Sequence, residues 1–204
     1  MINNIIFDFG DIFINLDKQI IFREAEKFGG ALHLTPEIQK ILDDFEIGEI
    51  SPDMFISALQ EVYPKATTRQ IENIWNGMLL DFPDYRLDFI TDLAKENKYR
   101  LFLLSNTNAL HIPYLEKKWG AERFDRFKNC FEKFYLSQEI GLRKPNADIF
   151  EFVLDENGLK TDETFFIDDS KENTDAAEKL GIRCWNLQVG EEDIVDLKSR
   201  LPHV

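Results

Sequence analysis

Asn4-Ile5-Ile6-Phe7-Asp8-Phe9-Gly10 decides how this chain of 204 residues is read. A short apolar run ends on a carboxylate and passes into a glycine-containing turn, the pattern of a buried β-strand that delivers one acid to a loop. Downstream of Pro83 short apolar runs recur in alternation with helical spacing. Tyr85 to Glu96 reads as a helix, Arg100 to Leu104 and Phe134 to Leu136 as strands, and Ala147 to Asn157 as a helix. Thr164 to Ile167 reads as a strand, Asn173 to Leu180 as a helix and Ile182 to Leu187 as a strand. Repeated β-then-α order predicts an α/β protein whose parallel sheet is covered by helices on both faces.

From Lys18 to about Tyr85 the periodicity is helical instead. Ile20, Ile21, Ala25 and Phe28 share one face, Ile38, Ile41, Leu42 and Phe45 a second, and Ile71, Ile74, Trp75 and Met78 a third. Breaks fall at Gly29-Gly30, Gly48, Pro64 and Pro83. Thr35-Pro36 and Ser51-Pro52 each place a hydroxyl at the N-cap and proline at the first helical position. The whole is therefore a Rossmann-like, doubly wound parallel sheet with an inserted small helical module.

The balance of 24 Lys and Arg against 38 Asp and Glu leaves a formal charge of −14, which repels phosphate backbones and anionic membranes. Neither nucleic acid nor a membrane is an expected partner. With no bilayer-length apolar run and no leader pattern, the expected location is the cytoplasm. Cys130 and Cys184 lack metal-ligand spacing and read as buried thiols. His33, His111 and His203 show no ligand spacing either, and His111 alone stands near a loop where substrate could lie.

Open α/β sheets bind ligands at the C-terminal ends of their strands, and three chemistry-bearing stretches stand there. They are Asp8, then Ser105-Asn106-Thr107-Asn108 after Leu101-Phe102-Leu103-Leu104, then Asp168-Asp169 after Phe165-Phe166-Ile167. Lys144-Pro145 lies in the loop beyond Leu136. Crowded carboxylates resist ionisation unless a cation offsets the cost, so Asp8, Asp168 and Asp169 predict a bound metal, and oxygen ligands favour magnesium over zinc. In such a site Asp8 attacks phosphorus, giving an aspartyl-phosphate that water hydrolyses. Ser105 hydrogen-bonds a phosphoryl oxygen, and Lys144 holds Asp8 ionised. Plainer readings stand beside these: Asp168-Asp169-Ser170 as a helix cap, Thr107 as a loop hydroxyl and Lys144 as a solvated lysine. Phe45, Met54, Phe55, Trp75, Met78 and Phe82 read as helix core.

Taken in order and spacing, Phe7-Asp8-Phe9-Gly10, Leu104-Ser105-Asn106-Thr107, Arg143-Lys144-Pro145 and Phe166-Ile167-Asp168-Asp169 resemble the four motifs of the haloacid dehalogenase superfamily. The resemblance covers nearly the whole chain and implies a catalytic core of residues 1–15 and 84–204 with a helical cap over residues 16–83. It implies catalytic Asp8, Ser105 and Lys144, substrate contacts from Ser105, Asn106 and Lys144, and a Mg2+ set of Asp8, Gly10, Asp168 and Asp169. The partner it implies is a small phosphorylated metabolite; oligomeric state is left open. Phe45-Glu46-Ile47-Gly48-Glu49-Ile50-Ser51 and Tyr135-Leu136-Ser137-Gln138-Glu139-Ile140-Gly141 are further similar to the bacterial branch that includes α-glucose-1-phosphate phosphatases, which points to sugar phosphates.

Gly10 departs from the pattern. Most phosphatases of the superfamily carry a second aspartate there, which protonates the leaving oxygen. Losing a positioned acid costs roughly two to four orders of magnitude in rate, which favours esters whose leaving oxygen departs easily, such as an anomeric sugar oxygen. The branch resembled here nevertheless has members with glycine at this position that are regarded as phosphatases. Asp11 is expected to face away, because adjacent residues of an extended segment point to opposite sides. The competing readings are a degenerate site that holds magnesium and phosphate with little turnover, and a dehalogenase, against which the Asp168-Asp169 pair argues.

Overall fold

A computed structural model describes residues 1–29 and 35–201; His33 and His203 lie outside them. Five strands, β1 (Asn4–Phe7), β2 (Arg100–Ser105), β3 (Lys133–Leu136), β4 (Thr164–Asp168) and β5 (Arg183–Asn186), form one sheet in the order β3-β2-β1-β4-β5. Every pairing is parallel. Successive strand side chains face opposite sides. Ile5, Phe7, Leu101, Leu103, Phe165 and Ile167 accordingly enter one core cluster, and Ile6, Phe102, Leu104 and Phe166 a second. Burial on both faces explains why these strands are continuous apolar runs rather than alternating ones.

Between β1 and the rest of the sheet lie α1 (Ile20–Ala25), α2 (Pro36–Glu46), α3 (Pro52–Val62) and α4 (Thr68–Asn76). The expected caps form: Thr35 Oγ1 accepts from the Ile38 N–H and Ser51 Oγ from the Met54 N–H. These helices share a core of their own, in which Phe45 stacks on Phe55 at 4.0 Å and Phe55 meets Trp75 edge-on at 4.7 Å. Met54 departs from the core expectation and is 59 % exposed, because Phe55, Ile56 and Leu59 form the buried face of α3 and Met54 falls outside it. The two crossings to the sheet pair with each other: the Asn15 N–H donates to Asp81 O and the Leu80 N–H to Asn15 O, both at 2.9 Å.

α5 (Asp84–Glu96), α6 (His111–Trp119) and α7 (Ala121–Lys128) cover one face of the sheet. The sequence periodicity assigns no element to the stretch that forms α6 and α7. Pro113 sits in the first turn of α6, Gly120 at φ 82° separates the helices, and α7 buries only Phe124 and Phe127, so neither helix shows a full apolar stripe. Beyond the one-turn α8 (Ser137–Ile140), α9 (Ala147–Asn157) and α10 (Lys171–Lys179) cover the other face, and the short α11 (Leu197–Arg200) returns to the first. α10 starts two residues before its expected position, since Asp168 Oδ1 accepts the Ser170 N–H at 2.8 Å and turns the chain directly into the helix. Cys130 is buried, whereas Cys184 is only half-buried, and both are free. No described helix is long and apolar enough to cross a membrane.

Candidate active site

Phe7 pairs with Leu103 on one side and Ile167 on the other, so Asp8, Ser105 and Asp168 emerge together at one edge of the sheet. Lys144 reaches them from the loop after α8. Its ammonium donates to Asp8 Oδ1 at 2.7 Å and to Asp168 Oδ2 at 2.6 Å, and the side chain is 1 % exposed, so the solvated-lysine reading does not hold. The Asn106 carboxamide clamps the Lys144 backbone from both sides, donating to Lys144 O at 2.8 Å and accepting the Lys144 N–H at 2.9 Å. Both ends of the Asn106 amide are thereby engaged. Ser105 and Thr107 are buried, and Ser137 Oγ holds the loop by bonding both the N–H and the carbonyl of Thr107.

Carboxylate oxygens of Asp8, Asp168 and Asp169 lie within 4.8 Å of one another. Burial pushes the Asp8 carboxyl up to about 7; Lys144 opposes the rise, while Asp168 and Asp169 add to it. For Lys144, burial works against the ammonium, but the charges of Asp168 and Asp8 outweigh it and raise it above its ordinary value. Burial also raises Asp169, against the pull of Lys18, which bridges Asp169 Oδ2 and Asp11 Oδ2 at 2.7 Å each. Two ammoniums thus face four carboxylates, and the remaining negative charge on hard oxygen donors fits a divalent cation of the magnesium type. The three carboxylates are not equivalent. Asp168 already accepts from Lys144, Asn173 and the Ser170 N–H, while Asp8 and Asp169 are the less committed pair.

Gly10 and Asp11 follow the nucleophile in a turn. A Cβ added at Gly10 would stand 2.7 Å from Leu16 Cδ1, so the Leu16 side chain would have to shift to admit an acid at this position. Asp11 is not in extended backbone: its φ is 55°, which corrects the reason given for its facing away. It is nevertheless spent elsewhere, with Oδ1 accepting the Leu16 N–H at 3.0 Å and Oδ2 on Lys18.

Above these residues opens a cavity of about 290 Å³, at the small end of ligand sites. Asp8, Gly10, Ser105, Asn106, Lys144 and Asp169 line its floor. Its wall also carries Trp75, Asn108, His111 and Glu46, of which only His111 carries a substrate-side expectation from sequence. His111 stacks on Trp75 at 5.3 Å; its Nδ1 accepts from the Asn108 amide and its Nε2 faces Trp75 O, so both ring nitrogens are engaged. Burial depresses its pKa to about 4. Lys18, Glu46 and Asn173 also escape the sequence reading. For Asn173 a signal exists: a carboxamide in the first turns of the helix that follows the two acids. For Lys18 and Glu46, only the folded helical module brings them to the cavity.

Several known proteins are similar to this chain over nearly its whole length. The model of haloacid dehalogenase-like hydrolases matches residues 5–187. A D-ribitol-5-phosphate phosphatase of Bacteroides thetaiotaomicron is 27% identical over 198 residues, covering 94% of this chain and 95% of that protein. The crystal structure of a wild-type HAD family enzyme from the same organism, in complex with magnesium and inorganic phosphate, superposes with a TM-score of 0.78 at 34% identity over 94% of this chain and 97% of that one. A structure described as a predicted HAD-like family hydrolase from Porphyromonas gingivalis matches all of both chains at 32% identity with a TM-score of 0.79.

Proposed function

Since the chain belongs to the haloacid dehalogenase-like hydrolase family, we propose that it is a magnesium-dependent phosphatase of small phosphate monoesters, sugar or polyol phosphates among them. The observation that carries this is the Lys144 ammonium, fully buried between Asp8 and Asp168 beneath a cavity of ligand size.

Asp8 attacks the phosphorus of the bound ester, and the leaving oxygen departs with the organic part. Lys144 favours the ionised form of Asp8 against the effect of burial and faces the charge that builds on the transferring group. Ser105 contacts a phosphoryl oxygen, while Asn106 acts by placing Lys144. The resulting aspartyl-phosphate is then hydrolysed by water. Asp8, Gly10 and Asp169 would hold Mg2+, with Asp168 anchoring the acidic loop, and the ion would supply positive charge that screens the phosphate from the carboxylates. The helical module of residues 16–83 serves as a cap that closes the cavity, and a phosphorylated metabolite is its only expected small-molecule partner.

Gly10 in the place of the usual acid favours a second reading, a site that binds magnesium and phosphate with little turnover. Phosphate release from a panel of sugar and polyol phosphates, measured with magnesium and with chelator, separates the two. No release from any member, or release unaffected by Asp8→Asn, sinks the phosphatase reading.

A further inference from the structure

Glu46 ends α2 and forms part of the cavity wall. Of the polar side chains on that wall, Trp75, Asn108 and His111 are spent on one another: the Trp75 Nε1–H donates to Asn108 Oδ1 at 3.4 Å, and the Asn108 amide donates to His111 at 3.1 Å. Glu46 is half-spent. Its Oε2 takes Nε and Nη2 of Arg143, each at 2.9 Å, and its Oε1 has no hydrogen-bond partner among the described residues. Arg143 also pairs with Asp43 one turn earlier at 3.2 Å, which fixes the carboxylate from the helix side. The chain beyond α2 is seated just as closely: at Gly48 a Cβ would stand 2.5 Å from the backbone oxygen of Gln138. The result is a preorganised acceptor with one oxygen open. Leu16, Met78, Leu79 and Leu115, which line the same cavity, offer carbon only.

We propose that Glu46 reads a hydroxyl on the organic part of the substrate, so that the site selects hydroxylated phosphate esters over plain alkyl phosphates of the same length. The inference rests on the phosphatase reading and deepens it. The physical reason is an asymmetry. A hydroxyl donates to the open oxygen, whereas a methylene in the same place shields that oxygen from water and leaves a charged acceptor unpaired. Burial, opposed by Arg143, raises the Glu46 carboxyl above its usual range, while the side chain keeps 28 % exposure, so the open oxygen is reachable from the cavity. Because Arg143 directly precedes Lys144, the same ion pair ties substrate recognition to the loop that carries the catalytic ammonium.

The test compares erythritol 4-phosphate with butyl phosphate in magnesium, for wild type, Glu46→Gln and Glu46→Leu, with circular dichroism as the folding control. The expected wild-type preference in kcat/KM is roughly ten- to a hundredfold for the polyol ester. Glu46→Leu removes most of that ratio and Glu46→Gln, which retains an acceptor oxygen, part of it. A ratio unchanged in both variants overturns the proposal. Calorimetric titration of both esters into Asp8→Asn separates recognition from turnover. Preferential binding of the polyol ester by this variant, with no phosphate release by wild type, supports Glu46 and overturns the phosphatase reading. Turnover of both esters without preference does the opposite.

Discussion

Lys144 shows what a buried charge demands of its neighbours. An ammonium this deep persists because two carboxylates meet it, and removing it strands both. Lys144→Met is expected to cost about 3–5 kcal/mol of unfolding free energy, read from urea midpoints, and to abolish phosphate release. A surface lysine such as Lys40, paired with Asp44 one turn along α2, is screened by water and contributes little by comparison. Gly10 poses the reverse problem, one of space. With Leu16 Cδ1, the mobile end of a half-buried side chain, at 2.7 Å from a built Cβ, Gly10→Ala is expected to destabilise by about 1 kcal/mol or less as Leu16 gives way. In a Leu16→Ala background that cost should largely vanish, because the colliding methyl group is gone; a thermal double-mutant cycle measures the coupling. Equal costs in both backgrounds would mean that Leu16 is not what excludes a side chain at this position.

Among the elements, α2 and the turn after it matter most, since they bring Glu46 to a cavity otherwise built by strand ends. Gly48 adopts φ 75°, and its Cα approaches Gln138 so closely that only hydrogen fits. Gly48→Ala therefore combines left-handed backbone cost with a clash against a backbone oxygen, which cannot rotate away. An expected loss of about 2–4 kcal/mol follows from the two together, and the selectivity for hydroxylated esters should fall in step as the end of α2 lifts. The sheet's strands behave differently. β1, β2 and β4 are buried on both faces, so their register cannot slip without exposing Phe7, Leu103 or Ile167, and the strand ends hold Asp8, Ser105 and Asp168 in place.

For the whole molecule, metal and proton act as linked ligands of the folded state. Mg2+ that binds the folded site and not the unfolded chain should add about 2.7 kcal/mol at a hundredfold excess over its dissociation constant, or roughly 5–11 °C in melting temperature for a chain of this size. Chelator should abolish the shift, and Asp169→Asn should abolish most of it. The pH dependence has a defined sign. His111 falls from 6.5 in the unfolded chain to about 4 in the folded one, so the unfolded chain binds the extra proton between those values. Its contribution, roughly 3 kcal/mol, is complete above pH 6.5 and is lost as pH falls toward 4. Asp8, raised from 3.8 to about 7, acts in the opposite direction over the whole of that window. The His111 effect is therefore measured as the difference between wild type and His111→Gln: the variant's stability should fall less between pH 6.5 and 4.5, and parallel curves would refute the assignment.

Local pattern determined the parallel sheet, the strand ends and the acids on them, because burial on two faces writes itself as apolar runs and the turn after each run can hold only a few residue types. It determined the capped starts of α2 and α3 for the same reason: a hydroxyl followed by proline acts within three residues. It did not determine α6 and α7, whose apolar stripes are broken by Pro113 and Gly120, nor the turn at Asp11, where a left-handed φ replaced the extended backbone assumed for it. The depth of Lys144, the Leu16 side chain over Gly10, and the convergence of Lys18 and Glu46 on the cavity were decided only by tertiary structure. Each depends on residues far apart in the chain, Arg143 with Glu46 and Lys18 with Asp169, and no local periodicity carries information about which distant side chain will share a wall of the same cavity.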